Sequence, residues 1–207
     1  PILPEPEGWR FPGGVRTSRD VFDYCASCAQ TDTLLVQPRL ITTEALRCVM
    51  APTGFGTIRA VTYMHDQGPE LVAACLRIVV EGNAADNFTH GTSGNLVASI
   101  DTVTGTLIAA RASRSRAWPD IVDLETHPVT GVRLVGLQIP CWSELLKLVL
   151  RAQVAFGGLC TAGWDVGITQ DGPLLVEANA LYDLDLLQVA YDRGFAPDLQ
   201  QIVRSAR

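Results

Sequence analysis

The run Gly163-Trp164-Asp165-Val166-Gly167-Ile168-Thr169 and the run Pro173-Leu174-Leu175-Val176-Glu177-Ala178-Asn179 are both apolar-rich, and Gln170-Asp171-Gly172 separates them. Two such runs around a turn signal dictate a β-hairpin. Its register then decides what the hairpin carries. A two-residue turn at Asp171-Gly172 sets Asp165 opposite Ala178 and points the two acids to opposite faces. A three-residue loop, Gln170-Asp171-Gly172, gives Gly172 the left-handed position of a bulge and sets Asp165 across from Glu177. Asn179 then lies two residues further along the same face. Pro173 falls at the start of the second strand, where proline is tolerated. Carboxylates directly opposed in this way repel. Two acids and an amide oxygen on one face form a hard-oxygen set that suits Mg²⁺ or Mn²⁺ better than zinc. The alternative is an ordinary hairpin with a solvated polar face. The apolar neighbours Trp164, Val166, Ile168, Leu174 and Val176 argue against it.

Composition narrows the classes. A chain of 207 residues, 47% hydrophobic and 18% charged, is globular and long enough for one sizeable core or two small lobes. A net charge of −6 leaves no basic surplus for nucleic acid. Lys147 is the single lysine beside many arginines, which removes the usual lysine candidates for phosphate binding. The most apolar stretch, Leu71–Val80, is too short to span a membrane and contains Arg77. Neither a leader nor a membrane span is read from the sequence. Six cysteines (Cys25, Cys28, Cys48, Cys75, Cys141 and Cys160) are scattered through it and read as reduced core thiols of a cytoplasmic protein.

Along the chain, the Pro/Gly-rich segment Pro1–Gly14 reads as an irregular connector to something upstream. Thr17 or Ser18 caps a helix over Arg19–Gln30. Cys25-Ala26-Ser27-Cys28 inside it reads as buried helix packing, since no second CxxC or nearby histidine completes a metal site. Thr33–Gln37 reads as a short strand, and Thr42 or Thr43 opens a helix to Cys48. Thr57–His65 and Leu71–Val80 read as a strand pair around Asp66-Gln67-Gly68-Pro69. Arg59 and Arg77 interrupt these strands, and a buried guanidinium is costly unless an acid or a bound anion meets it.

The polar loop Asp86–Asn95 is either a backbone anion nest or a plain connection into the strand Leu96–Ile100. Thr106–Arg111 forms a hairpin with that strand, and Arg111, Arg114 and Arg116 read as a solvated Ser-rich loop. One strand is expected at Arg133–Ile139. Trp142–Phe156 has helical spacing, with Ser143 as cap and Lys147 facing solvent. Leu184–Tyr191 and Ala196–Arg204 read as helices, with Asp183 and Asp185 as acids at a helix start. The expected class is α+β, a mostly antiparallel sheet carrying the site on one face with helices packed behind.

Asp165 followed twelve residues later by Glu177-Ala178-Asn179 resembles the metal-binding end of ATP-grasp enzymes. The fuller string GWDVGITQDGPLLVEAN is most similar to the sugar-transfer associated ATP-grasp family, relatives of the glutamate ligases. The resemblance runs from about Leu34 to about Gln188. It implies that Gln37, in LLVQ, lies beside adenine, and that Arg77 and Asn87 approach the γ-phosphate or the acceptor. It also implies that Asp165, Glu177 and Asn179 hold Mg²⁺ or Mn²⁺ with ATP, and leaves Arg59 to orient a substrate carboxylate. The implied reaction is ATP-dependent activation of a carboxylate for attack by an amine, in polysaccharide or peptide modification.

The implied small-molecule partners are a carboxylic acid and an amine. Two departures stand out. The paired glycines of the family loop are spread here as HGTSG, and the lysine-bearing amino-terminal part has no counterpart. An ATP-grasp-like fold with an incomplete amino-terminal lobe is therefore expected. Residues 1–32 are its remnant and 33–207 the catalytic region, with an upstream lobe or partner domain completing it. A shortened module that binds without turnover is the rival reading. A metal-dependent hydrolase has little support without histidines at ligand spacing.

Overall fold

The computed structural model describes residues 3–11, 14–80, 82–83, 85–115, 120–198 and 200. The chain divides into two compact units, Pro1–Leu40 and Ile41–Arg207. In the first, β1 (Leu3–Glu5), β2 (Gly8–Phe11) and β3 (Gly14–Arg16) form an antiparallel meander, followed by α1 (Ser18–Cys28). This corrects the irregular connector expected there: Pro6 falls between β1 and β2, Gly8 and Gly14 each open a strand, and Pro4 sits within β1 opposite Trp9. Thr17 caps α1 through a capping box with Asp20. No residue of α1 is buried, so the packing expected of Cys25 and Cys28 is absent. Thr33–Gln37 has no ladder partner and is largely exposed, so β-propensity alone did not make it a strand.

The second unit is built on one seven-stranded antiparallel sheet, and the class is α+β as expected. Its strands are β4 (Thr57–His65), β5 (Gly68–Ile78), β6 (Leu96–Ile100), β7 (Leu107–Ser113), β8 (Ile121–Leu124), β9 (Thr161–Thr169) and β10 (Gly172–Asn179). Their order is β10-β9-β4-β5-β6-β7-β8. The helices are α2 (Glu44–Arg47), α3 (Trp142–Ala155) and α4 (Asp185–Tyr191). Among the described residues no helix is long and apolar enough to cross a membrane.

The period-two alternation of the strands sorts side chains onto two faces. Ile58, Ala60, Ala74, Leu76, Ile78, Leu96, Ala98, Ile100, Trp164, Val166 and Ile168 form one face, against Leu145, Val149 and Ala152 of α3. Each large apolar side chain fully buried there contributes about 1.5–3 kcal/mol. Buried Thr62 donates to Gln153 Oε1 at 2.7 Å and accepts from Trp164 Nε1 at 2.7 Å, so this core holds a satisfied polar pair. Lys147 is exposed on α3, as the helical pattern placed it. On the other face Val61, Ala73, Cys75 and Val97 pack with Leu186, Leu187 and Ala190 of α4 and with Phe195.

Three local expectations are corrected. No strand forms at Arg133–Ile139, where Arg133 and Gln138 make only isolated bridges to Thr126 and Thr106; the seventh strand is β8 instead. Arg111 lies inside β7, not in a solvated loop, and donates to the carbonyls of Val189 and Ala190 at the end of α4. Arg116 and most of Ala196–Arg204 lie outside the described residues. The cysteines are free thiols, but only Cys75 is buried, so the core reading holds for that residue alone.

Candidate active site

The hairpin β9–β10 has Asp165 directly opposite Glu177 and Gly163 opposite Asn179. That is the expected pairing, reached by a different route. The turn is the two-residue Gln170-Asp171, with Thr169 opposite Gly172, and the extra residue is Val176, bulged between Leu175 and Glu177. Gly172 has φ +105°, a conformation it supplies at the first position of the strand. A bulge on an edge strand bends it and re-aims the side chains that follow.

Register also places the arginines. Arg59 of β4 lies opposite Asp165 on one side and Cys75 of β5 on the other. Arg77 is two residues further along β5, on the same face. Arg59 donates from Nε to Asp165 Oδ1 at 2.5 Å and from Nη2 to Oδ2 at 3.1 Å, engaging both carboxylate oxygens. Arg77 Nη2 also reaches Oδ2, at 2.7 Å. Its Nε lies 3.1 Å from Asp86 Oδ2 and 3.1 Å from Thr57 Oγ1. Thr57 in turn donates from its backbone N–H and its hydroxyl to Asp86 Oδ2, at 2.9 and 2.6 Å.

The group is buried: Arg59 is 8% exposed, Arg77 6% and Asp165 4%. Two guanidinium groups against two carboxylates leave no net charge, which is what burial of ions demands. Burial works against the charge on Arg59, but the hydrogen bond and charge of Asp165 outweigh it and hold its pKa above the ordinary value. Cys75, wholly buried beside them, has its thiol pushed up to about 12 by that burial, against the pull of Arg77 and Arg59. It is a neutral packing group.

The loop before β6 is fixed from within. Asn95, fully buried, donates to the carbonyls of Ala85 and Asn87 at 2.8 and 2.9 Å, on either side of Asp86. Its Oδ1 accepts from Val80 N–H and Asn83 Nδ2 at 3.1 and 2.7 Å, so the amide is fully used. Asn87 itself is exposed. Further along, Thr89 and His90 hold φ of 51° and 55°, a rare conformation for non-glycine residues. His90 pairs with Asp185 at the start of α4.

Two aromatic rings flank the acid. A Cβ on Gly167 would stand 2.1 Å from Phe55 Cζ, and one on Gly163 would stand 2.9 Å from Tyr182 Cβ. Both glycines alternate with Asp165 on β9, so each ring lies against bare backbone beside the carboxylate. Tyr182 Oη is 2.6 Å from Thr161 Oγ1, and burial raises its pKa against that hydrogen bond.

The residues singled out from sequence therefore fall into three groups. Arg59, Arg77 and Asp165 form one network; Glu177 and Asn179 adjoin it on β10; Asn87 follows the network residue Asp86. Gln37 belongs to the first unit, exposed in a stretch without regular structure. Thr57, Asp86, Phe55 and Tyr182 were not singled out. The Gly-Trp-Asp-Val-Gly spacing carried a signal for the rings, since strand glycines mark close approach.

A divalent cation fits this donor set on one condition. Glu177 is exposed and makes no ion pair with the described residues. Asn179 Nδ2 is buried without a partner, and turning the amide over offers Oδ1 in the same position. Asp165, however, already gives both oxygens to guanidinium. Among the described residues no group of three His, Cys, Asp or Glu gathers at one point, so the third donor has to be the amide.

No curated protein and no solved structure matched the chain. The family model for sugar-transfer associated ATP-grasp proteins matches residues 22–204, a span that takes in β4 to β10 with every charged group of the network. The chain belongs to the sugar-transfer associated ATP-grasp family.

Proposed function

We propose that this chain activates a carboxylate with ATP, as an acyl phosphate, for attack by an amine or similar nucleophile. Membership of the family brings ATP binding and ligase-type chemistry; the carboxylate and the amine are our reading. One observation carries it. The part of the sheet face that α4 does not line holds two buried guanidinium groups, with Glu177 and Asn179 beside them.

Asp165, Glu177 and Asn179 would hold Mg²⁺ or Mn²⁺, whose charge offsets that of the ATP phosphates. A carboxylate oxygen of the substrate attacks the γ-phosphorus and ADP leaves. The amine nitrogen then attacks the acyl carbon and phosphate leaves. Arg59 orients the substrate carboxylate by a two-point contact. Arg77 and Asn87 face the transferring phosphoryl group, where positioning and charge neutralisation supply most of the catalysis. Gln37 is assigned to adenine. Lys147 is on α3, against the opposite face of the sheet, and takes no part. The setting proposed is cytoplasmic modification of a cell-surface polysaccharide or peptide.

A second reading, nucleotide or partner binding without turnover, is favoured by the complete internal pairing of Asp165. Hydroxylamine trapping with a panel of carboxylic acids separates the two. Hydroxamate and ADP forming together support activation. ADP formed only with hydroxyl acceptors indicates a kinase, and binding without ADP indicates the module.

A further inference from the structure

The two arginines are held unequally. Arg77 has Thr57, Asp86 and Asp165 as partners, and Asp86 is fixed in turn by Thr57 and by Asn95 across its flanking carbonyls. Arg59 has Asp165 alone among the described residues. If Asp165 changes partner, Arg77 keeps an anchored carboxylate. Arg59 keeps no hydrogen-bonded carboxylate, only the weaker charge of Asp86, and a buried guanidinium left so poorly paired takes up an anion from solution.

We infer that Arg59 is a latent oxyanion site held shut by Asp165, and that it opens when a divalent cation draws the carboxylate away. The inference rests on the reading of Asp165 as a cation ligand. It makes the two bindings cooperative with no moving domain: a cation on Asp165 weakens that carboxylate's hold on the guanidinium groups and repels their charge, so each ligand favours the other. Coupling of this kind is reciprocal and is typically about 5- to 150-fold. An anion entering before the cation meets a closed site, which imposes an order on loading. The ligand class is a carboxylate or a phosphoryl group, both of which match the planar fork.

The test needs neither nucleotide nor turnover. Sulfate and acetate are titrated into the protein by calorimetry, with and without saturating Mn²⁺ at matched ionic strength. Mn²⁺ binding is followed separately through the spin-resonance signal of the free ion. The wild type should bind one of the two anions at least several-fold more tightly when Mn²⁺ is present; sulfate reports a phosphoryl site and acetate a carboxylate site. Arg59→Met should lose that gain while binding Mn²⁺ more tightly than the wild type, because the competing guanidinium is gone. Arg77 still pairs with Asp165 in this variant, and the wild-type comparison requires no substitution. An anion gain that survives in Arg59→Met overturns the inference, as does an anion affinity in the wild type that Mn²⁺ leaves unchanged. If neither protein binds Mn²⁺ at all, the cation reading of Asp165 falls, and the inference falls with it.

Discussion

Arg59 and Asp165, opposed on β4 and β9, form a two-point ion pair at 2.5 and 3.1 Å in the interior of the sheet face. The repulsion expected between Asp165 and Glu177 is therefore relieved from the other side, by two guanidinium groups. Asp165 is a structural counter-ion before it is anything else.

That reverses the consequence of neutralising it. Asp165→Asn leaves Arg59 buried without its ion-pair partner, a loss that typically costs about 3–5 kcal/mol. Asp165→Asn with Arg59→Met removes both ends and should cost clearly less than the two single changes added together. Urea unfolding of the four proteins closes the cycle. Additive costs would mean that the pair is not coupled.

Much of the second unit was legible in the sequence because alternation and turn chemistry point the same way there. Thr57–His65, Leu96–Ile100 and the hairpin around Gln170-Asp171 follow from local pattern. Facing Asp165 to Glu177 was legible too, but the bulge was placed at the turn and formed at Val176, because strand composition does not mark a bulge. Strand order was not legible. Pairing of β4 with β9 joins residues about a hundred apart, and it alone supplies the acid for Arg59. Asp86 looked like the first residue of a loop; only the folded backbone brings it to Arg77. In the first unit, burial and ladder partners rather than propensity decided the outcome, so Thr33–Gln37 and Cys25–Cys28 were misread.

The rings beside Asp165 give a steric prediction. A methyl group on Gly167 would stand 2.1 Å from Phe55 Cζ, so Gly167→Ala must displace the ring. Overpacking of this kind costs about 1–3 kcal/mol. Phe55→Ala in the same chain should recover part of that loss. Thermal unfolding of the single and double variants reads it, and a double variant no better than Gly167→Ala alone would show that the ring is not the obstacle.

His127 gives a pH prediction with a definite sign. It is 4% exposed, Nδ1 accepts from the backbone N–H groups of Val129 and Thr130 at 3.2 Å each, and Nε2 has no partner among the described residues. Burial lowers its pKa below the ordinary histidine value of about 6.5. The unfolded chain therefore takes up the proton first, and stability falls as the pH drops below about 6.5. Above that value the contribution is fully present. His127→Asn keeps an acceptor near the two N–H groups and cannot titrate. It should flatten the decline between about pH 6.5 and 5 in denaturant midpoints; an unaltered slope would assign the decline to other groups.

Glu177 is where cation binding and folding can be separated. Its carboxylate is exposed on the edge strand β10 and pairs with no described residue, whereas Asp165 is buried and pairs with two. A surface substitution away from any network usually changes stability by no more than about 0.5 kcal/mol. Removing one Asp165–Glu177 repulsion works in the favourable direction. Glu177→Gln should therefore unfold at the wild-type denaturant concentration or slightly above it. The same change removes one of the two acids offered to a cation and leaves two neutral amides with Asp165. Mn²⁺ binding should weaken by at least tenfold, about 1.4 kcal/mol, and the stabilisation that Mn²⁺-ATP confers on the wild type should shrink with it. Asp165→Asn cannot give so clean a result, because it disturbs the fold and the site together. A Glu177→Gln protein that keeps its stability and also binds Mn²⁺ as the wild type does would remove Glu177 from the cation site.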